Sequence, residues 1–348
     1  MRFAFAIPGD LALPTGGYAY DRRVMAECRA AGCVVDRLQL AMDFPNPSAE
    51  SLAAAQTSFA SVPANIPILV DGLAFGALPA ELLRRAGRRF IALVHHPLAL
   101  ETGLPEGERV RLRLAEREAL AEAIAVIATS PSTARALVAD YDVPAGRITV
   151  ALPGTDPASR AAGGNTPPMV LAVGALVPRK GYPVLIEALG LLAALDWRCQ
   201  ILGAIDRNPS ETARIKAEIA RHGLTPRVEI AGQVDDETLA AAYAAADLLV
   251  MPSFHEGYGM ALSEALARGL PIVATTAGAI PETVPAEAST LVPPGDARAL
   301  AAALGTLLAE PETWRSKAEA AWGAGQKLPR WRDTAAAIIA AIETSRGG

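Results

Sequence analysis

Short apolar runs alternate along this chain with longer segments rich in alanine and leucine, and this alternation constrains the fold more than any other feature. The runs have the length of β-strands, and the segments between them have the periodicity of helices. A repeated order of strand, helix and strand is typical of a parallel sheet covered by helices. The sequence therefore predicts an α/β fold.

Each half of the chain predicts its own sheet. In the first half, strands are predicted at residues 2–7, 34–39, 68–71, 90–95, 126–130 and 148–152, and helices at 20–31, 115–125 and 132–140. In the second half, strands are predicted at 169–173, 198–202, 228–230, 248–251 and 272–274, with helices between them. Residues 157–168 are rich in Gly, Ala, Pro and Asn without a periodic pattern, which is typical of a linker.

The predicted domains are two Rossmann-like parallel-sheet units, at residues 1–160 and 161–328. Open parallel sheets bind ligands at the carboxyl ends of their strands, so we expect the two domains to face each other across a cleft at those ends. An amphipathic helix predicted at 331–344 is followed by no strand. We expect the segment 329–348 to pack back on the N-terminal domain.

Composition limits the function. The chain of 348 residues is 51% hydrophobic and 20% charged, as in an ordinary globular protein, and its net charge is −5. General nucleic-acid binding depends on a basic surface, so we expect no nucleic-acid partner. Cys28, Cys33 and Cys199 are too few and too scattered for a disulfide framework or a zinc site. This scarcity of cysteines fits a reducing cytosol, so we expect a cytoplasmic protein. No apolar stretch reaches the ~20 residues of a membrane span, so we expect a soluble or peripheral chain.

The segment 255–264 carries the most specific chemistry. It sets Glu256 and Glu264 on either side of a glycine turn that leads into a helix predicted at 261–268. Gly257 and Gly259 allow a tight backbone, and the N–H groups at the start of the helix can face an anion such as a diphosphate. Two carboxylates so placed can accept hydrogen bonds from two hydroxylated ends of one ligand. Solvated charge at a helix start is the alternative interpretation.

A basic pair follows the first predicted strand of the second half. Arg179 and Lys180 can bind phosphate oxygens, the guanidinium as a bidentate fork and the ammonium as a point charge. An exposed basic turn is the alternative. The surrounding sequence is not a Walker A loop, and no strand is followed by the glycine pattern of nicotinamide or flavin enzymes.

Two features of the first half also lie at strand ends. Gly16 and Gly17 follow the first strand, where they allow the backbone to approach a ligand closely or simply form a turn. His95 and His96 end a buried strand before a proline, and one imidazole there can bond a substrate hydroxyl. The histidines are not spaced with Cys or carboxylates as a metal cluster, so we predict no tightly bound metal.

Taken together, these motifs are similar to those of the family 4 retaining glycosyltransferases, whose two-domain architecture is called GT-B. The resemblance covers essentially the whole chain, and it is the order and spacing of the motifs that make it specific. The motifs are Gly16-Gly17, His95, Pro153-Gly154-Thr155-Asp156, Arg179-Lys180-Gly181, Gly232-Gln233-Val234, Glu256 with Glu264, and residues 278–282.

The resemblance implies a role for each matching residue. Glu264 is expected to accept hydrogen bonds from the ribose of a nucleotide-sugar donor, and Glu256 to lie near the transferred sugar. The remaining implied contacts are Arg179 and Lys180 with the diphosphate, Val234 with the base, Gly257, Tyr258, Gly259 and Met260 with the sugar or phosphate, and Gly16, Gly17 and His95 with the donor. Many relatives have Arg where this chain has Ala175, so more of the diphosphate charge is expected to fall on Arg179.

The function implied is transfer of a hexose-type sugar from a nucleotide-diphosphate sugar, UDP- or GDP-linked, to a glycan, glycolipid or small-molecule hydroxyl, with retention and without a metal. It would serve polysaccharide or glycoconjugate biosynthesis. A sugar phosphorylase or epimerase and a noncatalytic nucleotide-sugar binding protein are the alternatives.

Weak peripheral contact with the inner face of the membrane is a further hypothesis. It is based on basic residues of the first half, which can attract anionic lipid. These are Arg84, Arg85, Arg88, Arg89, Arg109, Arg111, Arg113 and Arg117. Solvated helix faces are the alternative, because glutamates intervene.

Overall fold

A computed structural model describes residues 1–345, which divide into two compact units. Unit 1 contains Met1–Gly154 together with the chain from Pro329 onward, and unit 2 contains Thr155–Leu328. Each unit has a parallel sheet with helices packed against it, so the predicted α/β class is confirmed.

Unit 1 is built on a sheet whose strand order is β2-β1-β3-β4-β5-β6. The strands are β1 (Arg2–Pro8), β2 (Val34–Leu40), β3 (Ile68–Asp71), β4 (Phe90–Val94), β5 (Ala125–Ala128) and β6 (Ile148–Val150). The helices are α1 (Gly16–Ala30), α2 (Ala49–Ser61), α3 (Gly72–Phe75), α4 (Ala80–Ala86), α5 (Glu106–Ala121), α6 (Pro131–Tyr141) and, far along the chain, α14 (Trp331–Thr344). Strands β3, β4 and β5 are buried at every position, as expected of parallel strands covered on both faces.

Unit 2 repeats the architecture with the strand order β12-β11-β10-β7-β8-β9. The strands are β7 (Met169–Val173), β8 (Arg198–Leu202), β9 (Val228–Gly232), β10 (Leu248–Met251), β11 (Ile272–Thr275) and β12 (Ser289–Val292). The helices are α7 (Tyr182–Leu191), α8 (Pro209–Arg221), α9 (Asp236–Ala245), α10 (Met260–Leu266), α11 (Ile280–Thr283), α12 (Ala297–Ala309) and α13 (Pro311–Gly325).

The C-terminal helix α14 packs within unit 1, against α1. The rings of Tyr20 and Trp331 meet edge to face with centroids 5.8 Å apart, and the Thr334 hydroxyl donates to the carbonyl of Leu152 at 2.7 Å. A side chain at Gly154 would clash with the backbone of Trp331. The apolar face of the helix is therefore buried by the sheet domain that begins the chain.

Several predicted boundaries are wrong. The first helix begins at Gly16 rather than at residue 20, because Thr15 caps it by accepting a hydrogen bond from the N–H of Tyr18 at 3.1 Å. The helix predicted at 115–125 is α5, which begins nine residues earlier and ends before β5. The strand β12 is absent from the prediction, because a run of four residues carries little periodicity.

Candidate active site

A basic turn follows β7 in unit 2. Pro178–Lys180 form a single 3-10 turn, and Gly181 ends it with a φ of +67°. A Cβ at Gly181 would clash with the carbonyl oxygen of Pro252, which lies just after β10. Glycine thus lets the turn that carries Arg179 and Lys180 pack directly on the loop after the neighbouring strand.

Glu256, in the loop after β10, lies between these two cations. The Lys180 Nζ donates to Glu256 Oε1 at 2.7 Å, and the Arg179 Nη1 lies 3.3 Å from Glu256 Oε2. The carboxylate is 7% exposed and the two cationic side chains are 16% and 15% exposed. Burial alone would raise the pKa of Glu256, but the charges of Lys180 and Arg179 outweigh it and lower the pKa to about 2.

Hydrogen bonds hold the loop around Glu256 in place. Ser253 donates its hydroxyl to Glu256 Oε1 at 2.6 Å, and Thr275 in turn donates to the carbonyl of Ser253 at 2.6 Å. Gly278, at a φ of +56°, lets the loop after β11 approach the Glu256 backbone, whose carbonyl accepts from Ala279 N–H at 2.9 Å. Ser253 and Thr275 were not among the predicted site residues, although each closely follows a predicted strand.

Glu264 lies one turn inside α10, which begins at Met260 and ends at Leu266 rather than spanning the predicted 261–268. Its Oε2 accepts a hydrogen bond from the Tyr243 hydroxyl at 2.8 Å. Burial raises the pKa of Glu264 and outweighs the Tyr243 hydrogen bond and the charge of Arg268, which lower it, whereas at Glu256 the two cations outweigh burial. Arg268 donates to the Glu264 carbonyl at 3.0 Å and stacks over the Tyr243 ring.

The other predicted residues of unit 2 lie at the same edge of its sheet. Gly259, at a φ of +92°, caps the start of α10 and precedes Met260. Tyr258 is buried, its carbonyl accepts from Thr283 at 2.7 Å, and burial raises the pKa of its phenol to about 12. Gly257 lies next to Glu256 in the loop, and Val234 follows β9, where it packs against the apolar core.

The predicted residues of unit 1 also come together. Gly16 and Gly17 are the first two residues of α1, and a Cβ on Gly17 would lie 3.4 Å from Cδ2 of His95. His95 follows β4, which ends at Val94 rather than at residue 95. Its neighbour His96 points elsewhere, with Nε2 3.6 Å from a carboxylate oxygen of Glu101.

Two aspartates that the sequence analysis missed face His95. Its Nε2 lies 3.3 Å from Asp21 Oδ1 and 3.1 Å from Asp71 Oδ2. Both aspartates are buried, and the His95 side chain is 20% exposed. One signal could have found them: Asp21 lies one helical turn after Gly17, and Asp71 is a carboxylate at the end of an otherwise apolar strand.

Two carboxylates and an imidazole are also groups that can hold a divalent cation, and their ligand atoms lie within 4.8 Å of one another. Nε2 lies at ion-pair distance from both carboxylates, 3.1 and 3.3 Å, but makes no hydrogen bond of normal geometry to either within the described residues. Magnesium and calcium usually take about six or more oxygen ligands, whereas a zinc site that keeps one position open for water takes three protein ligands. We interpret the cluster as an ion-paired triad, because the imidazole lies between two buried carboxylates.

The arginines behind the membrane hypothesis are mostly paired locally. Acidic or carbonyl groups accept from each of them, in pairs such as Arg84 with Glu122 at 2.8 Å and Arg113 with Asp140 at 2.9 Å. Arg88 and Arg89 donate to backbone carbonyls. The pairs with carboxylates reduce the positive charge of this surface, which favours the alternative of solvated helix faces. Among residues 1–345, no helix combines the length and apolar character needed to cross a bilayer.

Family models match both halves of the chain. Residues 66–159 match the glycosyltransferase family 4 model, and residues 167–310 match the model of glycosyl transferases group 1. The MMP alpha-(1->4)-mannosyltransferase of Mycolicibacterium hassiacum is 28% identical over 316 residues, which are 86% of this chain and 75% of that protein. A D-inositol 3-phosphate glycosyltransferase of Nocardia farcinica is 33% identical over 65% of this chain, but the match spans only 55% of that relative.

Solved structures share the fold along nearly the whole chain. A sucrose-phosphate synthase from Thermosynechococcus elongatus superimposes with a TM-score of 0.84 at 24% identity, covering 99% of both chains. The Anabaena protein HepE, solved with UDP-glucose, gives 0.79 at 19% identity, covering 98% of this chain and 99% of that one. Two parallel-sheet units of this kind define the GT-B class of glycosyltransferases.

With the two family models matching on either side of the linker, the chain belongs to the family 4 glycosyltransferases. It is therefore an enzyme that transfers a sugar.

Proposed function

We propose that this glycosyltransferase moves a hexose from a nucleotide-diphosphate sugar to a hydroxyl of a glycan, glycolipid or small-molecule acceptor, with retention of anomeric configuration. The observation that carries the proposal is the cluster of Arg179, Lys180 and Glu256 at the carboxyl end of the unit 2 sheet. Open parallel sheets bind their ligands at this edge.

Charge supports a diphosphate ligand. Two cations share one carboxylate, which leaves one positive charge uncompensated within the cluster. Breaking the bond between sugar and diphosphate builds negative charge on the leaving oxygen, and fixed cations stabilise that charge. The guanidinium and ammonium can supply this stabilisation themselves, so we propose transfer without a bound metal. Ala175 offers no charge, so more of this work falls on Arg179.

Contacts around α10 support the nucleotide end of the donor. Tyr243 donates to Oε2 of Glu264, and we propose that Oε1 accepts a hydrogen bond from a ribose hydroxyl. We assign the base to the backbone near Val234, and the sugar or phosphate to N–H groups of the glycine turn. The residues of that turn are Gly257, Tyr258, Gly259 and Met260. In unit 1, Gly16, Gly17 and His95 are proposed to contact substrate as well.

Relatives point to the substrate classes. Curated relatives include mannosyltransferases and glycosyltransferases acting on inositol phosphate, by their names, and the HepE structures contain UDP or UDP-glucose. We therefore propose a UDP- or GDP-sugar as donor and a glycan or lipid-linked hydroxyl as acceptor, in polysaccharide or glycoconjugate biosynthesis.

A donor screen tests the proposal. UDP-, GDP- and ADP-sugars are compared by thermal shift, since a ligand at a hundredfold excess over its Kd stabilises the native state by about 2.7 kcal/mol. Glu264→Gln should abolish the shift, and the matched control Glu312→Gln, which changes a carboxylate 88% exposed in the same unit, should leave it intact.

The active donor is then incubated with candidate acceptors, and the anomeric configuration of the product is read by NMR. Inversion of configuration would contradict retention. Turnover that requires free phosphate, or proceeds without acceptor, would instead indicate a phosphorylase or epimerase. Tight donor binding with neither hydrolysis nor transfer would indicate a noncatalytic protein.

A further inference from the structure

Two carboxylates from different elements converge on one edge of the His95 ring. Asp21 comes from α1 and Asp71 from the end of β3, while His95 follows β4, the strand next to β3 in the sheet. His95 Nε2 lies within 3.3 Å of an oxygen from each. Asp21 is 0% exposed and Asp71 is 2% exposed.

Nε2 is the group available to compensate these buried charges. Asp71 Oδ1 already accepts from the N–H of Leu73 at 2.9 Å, so its other oxygen faces the ring. Within residues 1–345, neither the Asp21 oxygens nor Nε2 of His95 have a hydrogen bond of normal geometry, and Nε2 lies 3.3 Å from Asp21 Oδ1, at ion-pair distance. A buried carboxylate is costly unless it is paired, so a proton on Nε2 is strongly favoured.

The opposite edge of the ring is left for a ligand. Nε2 is buried. Cδ2 faces Gly17, where a Cβ would lie 3.4 Å from it. The side chain nevertheless remains 20% exposed. The accessible part of the ring is therefore the edge with Nδ1 and Cε1.

We propose that Asp21 and Asp71 are positioning residues for His95: they hold Nε2 on the buried carboxylates and keep the ring as an imidazolium, so that its other edge presents a charged Nδ1–H to a sugar hydroxyl oxygen. This deepens the proposed function and rests on it for the identity of the ligand. A neutral ring in the same position would offer Nδ1 as an acceptor, which reverses the hydrogen bond that the site can make.

The surrounding charges agree with this assignment. Burial by itself lowers the pKa of His95, but the bonds and charges of Asp21 and Asp71 raise it to about 10. Burial and the charge of Asp71 raise the pKa of Asp21 to about 7. Among the described residues, Tyr20 is a further titratable group that contacts the His95 ring. The two rings meet edge to face with centroids 5.2 Å apart.

The net charge of the triad formed by His95, Asp21 and Asp71 favours a neutral hydroxyl over a phosphate as its ligand. An imidazolium with two ionised aspartates carries one negative charge, and protonation of Asp21 makes the triad neutral. Neither state attracts a phosphate, so a neutral hydroxyl is the oxygen that this Nδ1–H suits.

The charge state is tested by imidazole ¹⁵N NMR on the full-length protein between pH 6 and 9, with His95→Gln assigning the signal among the four histidines. We expect His95 to show imidazolium shifts throughout that range. Asp71→Asn keeps an acceptor for the N–H of Leu73, and it should lower the pKa of His95 so that the imidazole titrates between pH 6 and 9. Glu101→Gln removes a carboxylate beside His96 instead and should leave His95 unchanged. A wild-type His95 that is neutral at pH 8 would overturn the inference, as would shifts that change on adding Zn²⁺ or EDTA.

Kinetics separate this inference from the proposed function. With an active donor, Asp71→Asn should lower kcat/KM about tenfold more at pH 8.5 than at pH 6, since one pKa unit is a factor of ten. A uniform loss at both pH values would indicate a purely structural role and count against positioning. If no nucleotide sugar is turned over, the proposed function fails, while the NMR spectrum of the wild-type protein still decides the charge of His95.

Discussion

The two units of this glycosyltransferase contain charge clusters of opposite sign pattern at the carboxyl ends of their sheets. In unit 2 one carboxylate, Glu256, lies between two cations, and its pKa falls to about 2. In unit 1 one imidazole, His95, lies between two carboxylates, and its pKa rises to about 10. From this difference we infer that the two clusters suit different ligands: in the proposed function the surplus positive charge beside Glu256 serves a diphosphate, whereas His95 offers a directional N–H.

Loss of Lys180 should have the largest effect. Lys180→Ala removes one of the two charges that we propose to face the leaving diphosphate, and losing one such donor costs ~10²–10³-fold in kcat. Steady-state kinetics with the active donor measure it. Lys216→Ala, on the exposed face of α8, is the matched control and should leave kcat unchanged. A loss below tenfold for Lys180→Ala would remove Lys180 from the proposed mechanism.

Removing Glu256 should mainly reduce stability. Glu256→Gln leaves two cations facing a neutral amide, and breaking a buried pair costs about 3 kcal/mol, at the low end of the range because both cations stay partly exposed. Denaturant unfolding at pH 7 measures this, with Glu312→Gln as the exposed control. An unchanged free energy of unfolding would mean that the cluster does not stabilise unit 2.

The pH dependence should have opposite signs in the two units. The pKa of Glu256 is lowered from 4.5, so its contribution is present above pH 4.5 and lost as the pH falls toward 2. The pKa of His95 is raised from 6.5, so its contribution is present below pH 6.5 and lost as the pH rises toward 10. The stability gap between wild type and Glu256→Gln should therefore narrow in acid, and the gap for His95→Gln should narrow in base. A stability difference that widens in acid for Glu256→Gln, or widens in base for His95→Gln, would contradict the opposite pH dependence of the two clusters.

Two glycine substitutions, one in each unit, should differ in their effect on stability. Gly181→Ala forces a Cβ onto the Pro252 carbonyl at a φ of +67°, and such strain costs about 2 kcal/mol. Gly17→Ala lies in a helix and meets His95 at an ordinary contact distance, so its stability should change by less than about 1 kcal/mol. Thermal unfolding of both variants checks this, and equal losses would mean that the packing of the basic turn on β10 is not needed.

A modest effect on donor binding is expected at Tyr243. Tyr243→Phe removes the hydroxyl that bonds Glu264, so donor KM should rise by about tenfold, or ~1.4 kcal/mol, with kcat little changed. Tyr141→Phe makes the same change in unit 1 and should leave donor KM as it is. An unaltered KM in Tyr243→Phe would show that the Tyr243 hydroxyl does not position Glu264 for the proposed contact with the ribose.

The clusters also differ in how far the sequence predicted them. Arg179, Lys180, Glu256 and Glu264 were proposed from two short segments, because basic turns and glycine turns at strand ends are local patterns. Their pairing across adjacent strands β7 and β10 was not predicted, and neither were the supporting hydroxyls of Ser253 and Thr275. In unit 1, Gly16, Gly17 and His95 were proposed, but Asp21 and Asp71 were not.

The sequence by itself determined the succession of strands and helices and the α/β class, because hydrophobic periodicity is a local property that each segment carries alone. It also determined membership of the family, through the order of its motifs. Only the tertiary structure decided that β1, β3 and β4 lie side by side and so bring Asp21 and Asp71 to His95. Strand order depends on packing between distant segments, and the charge of a buried histidine depends on which groups that packing brings to it.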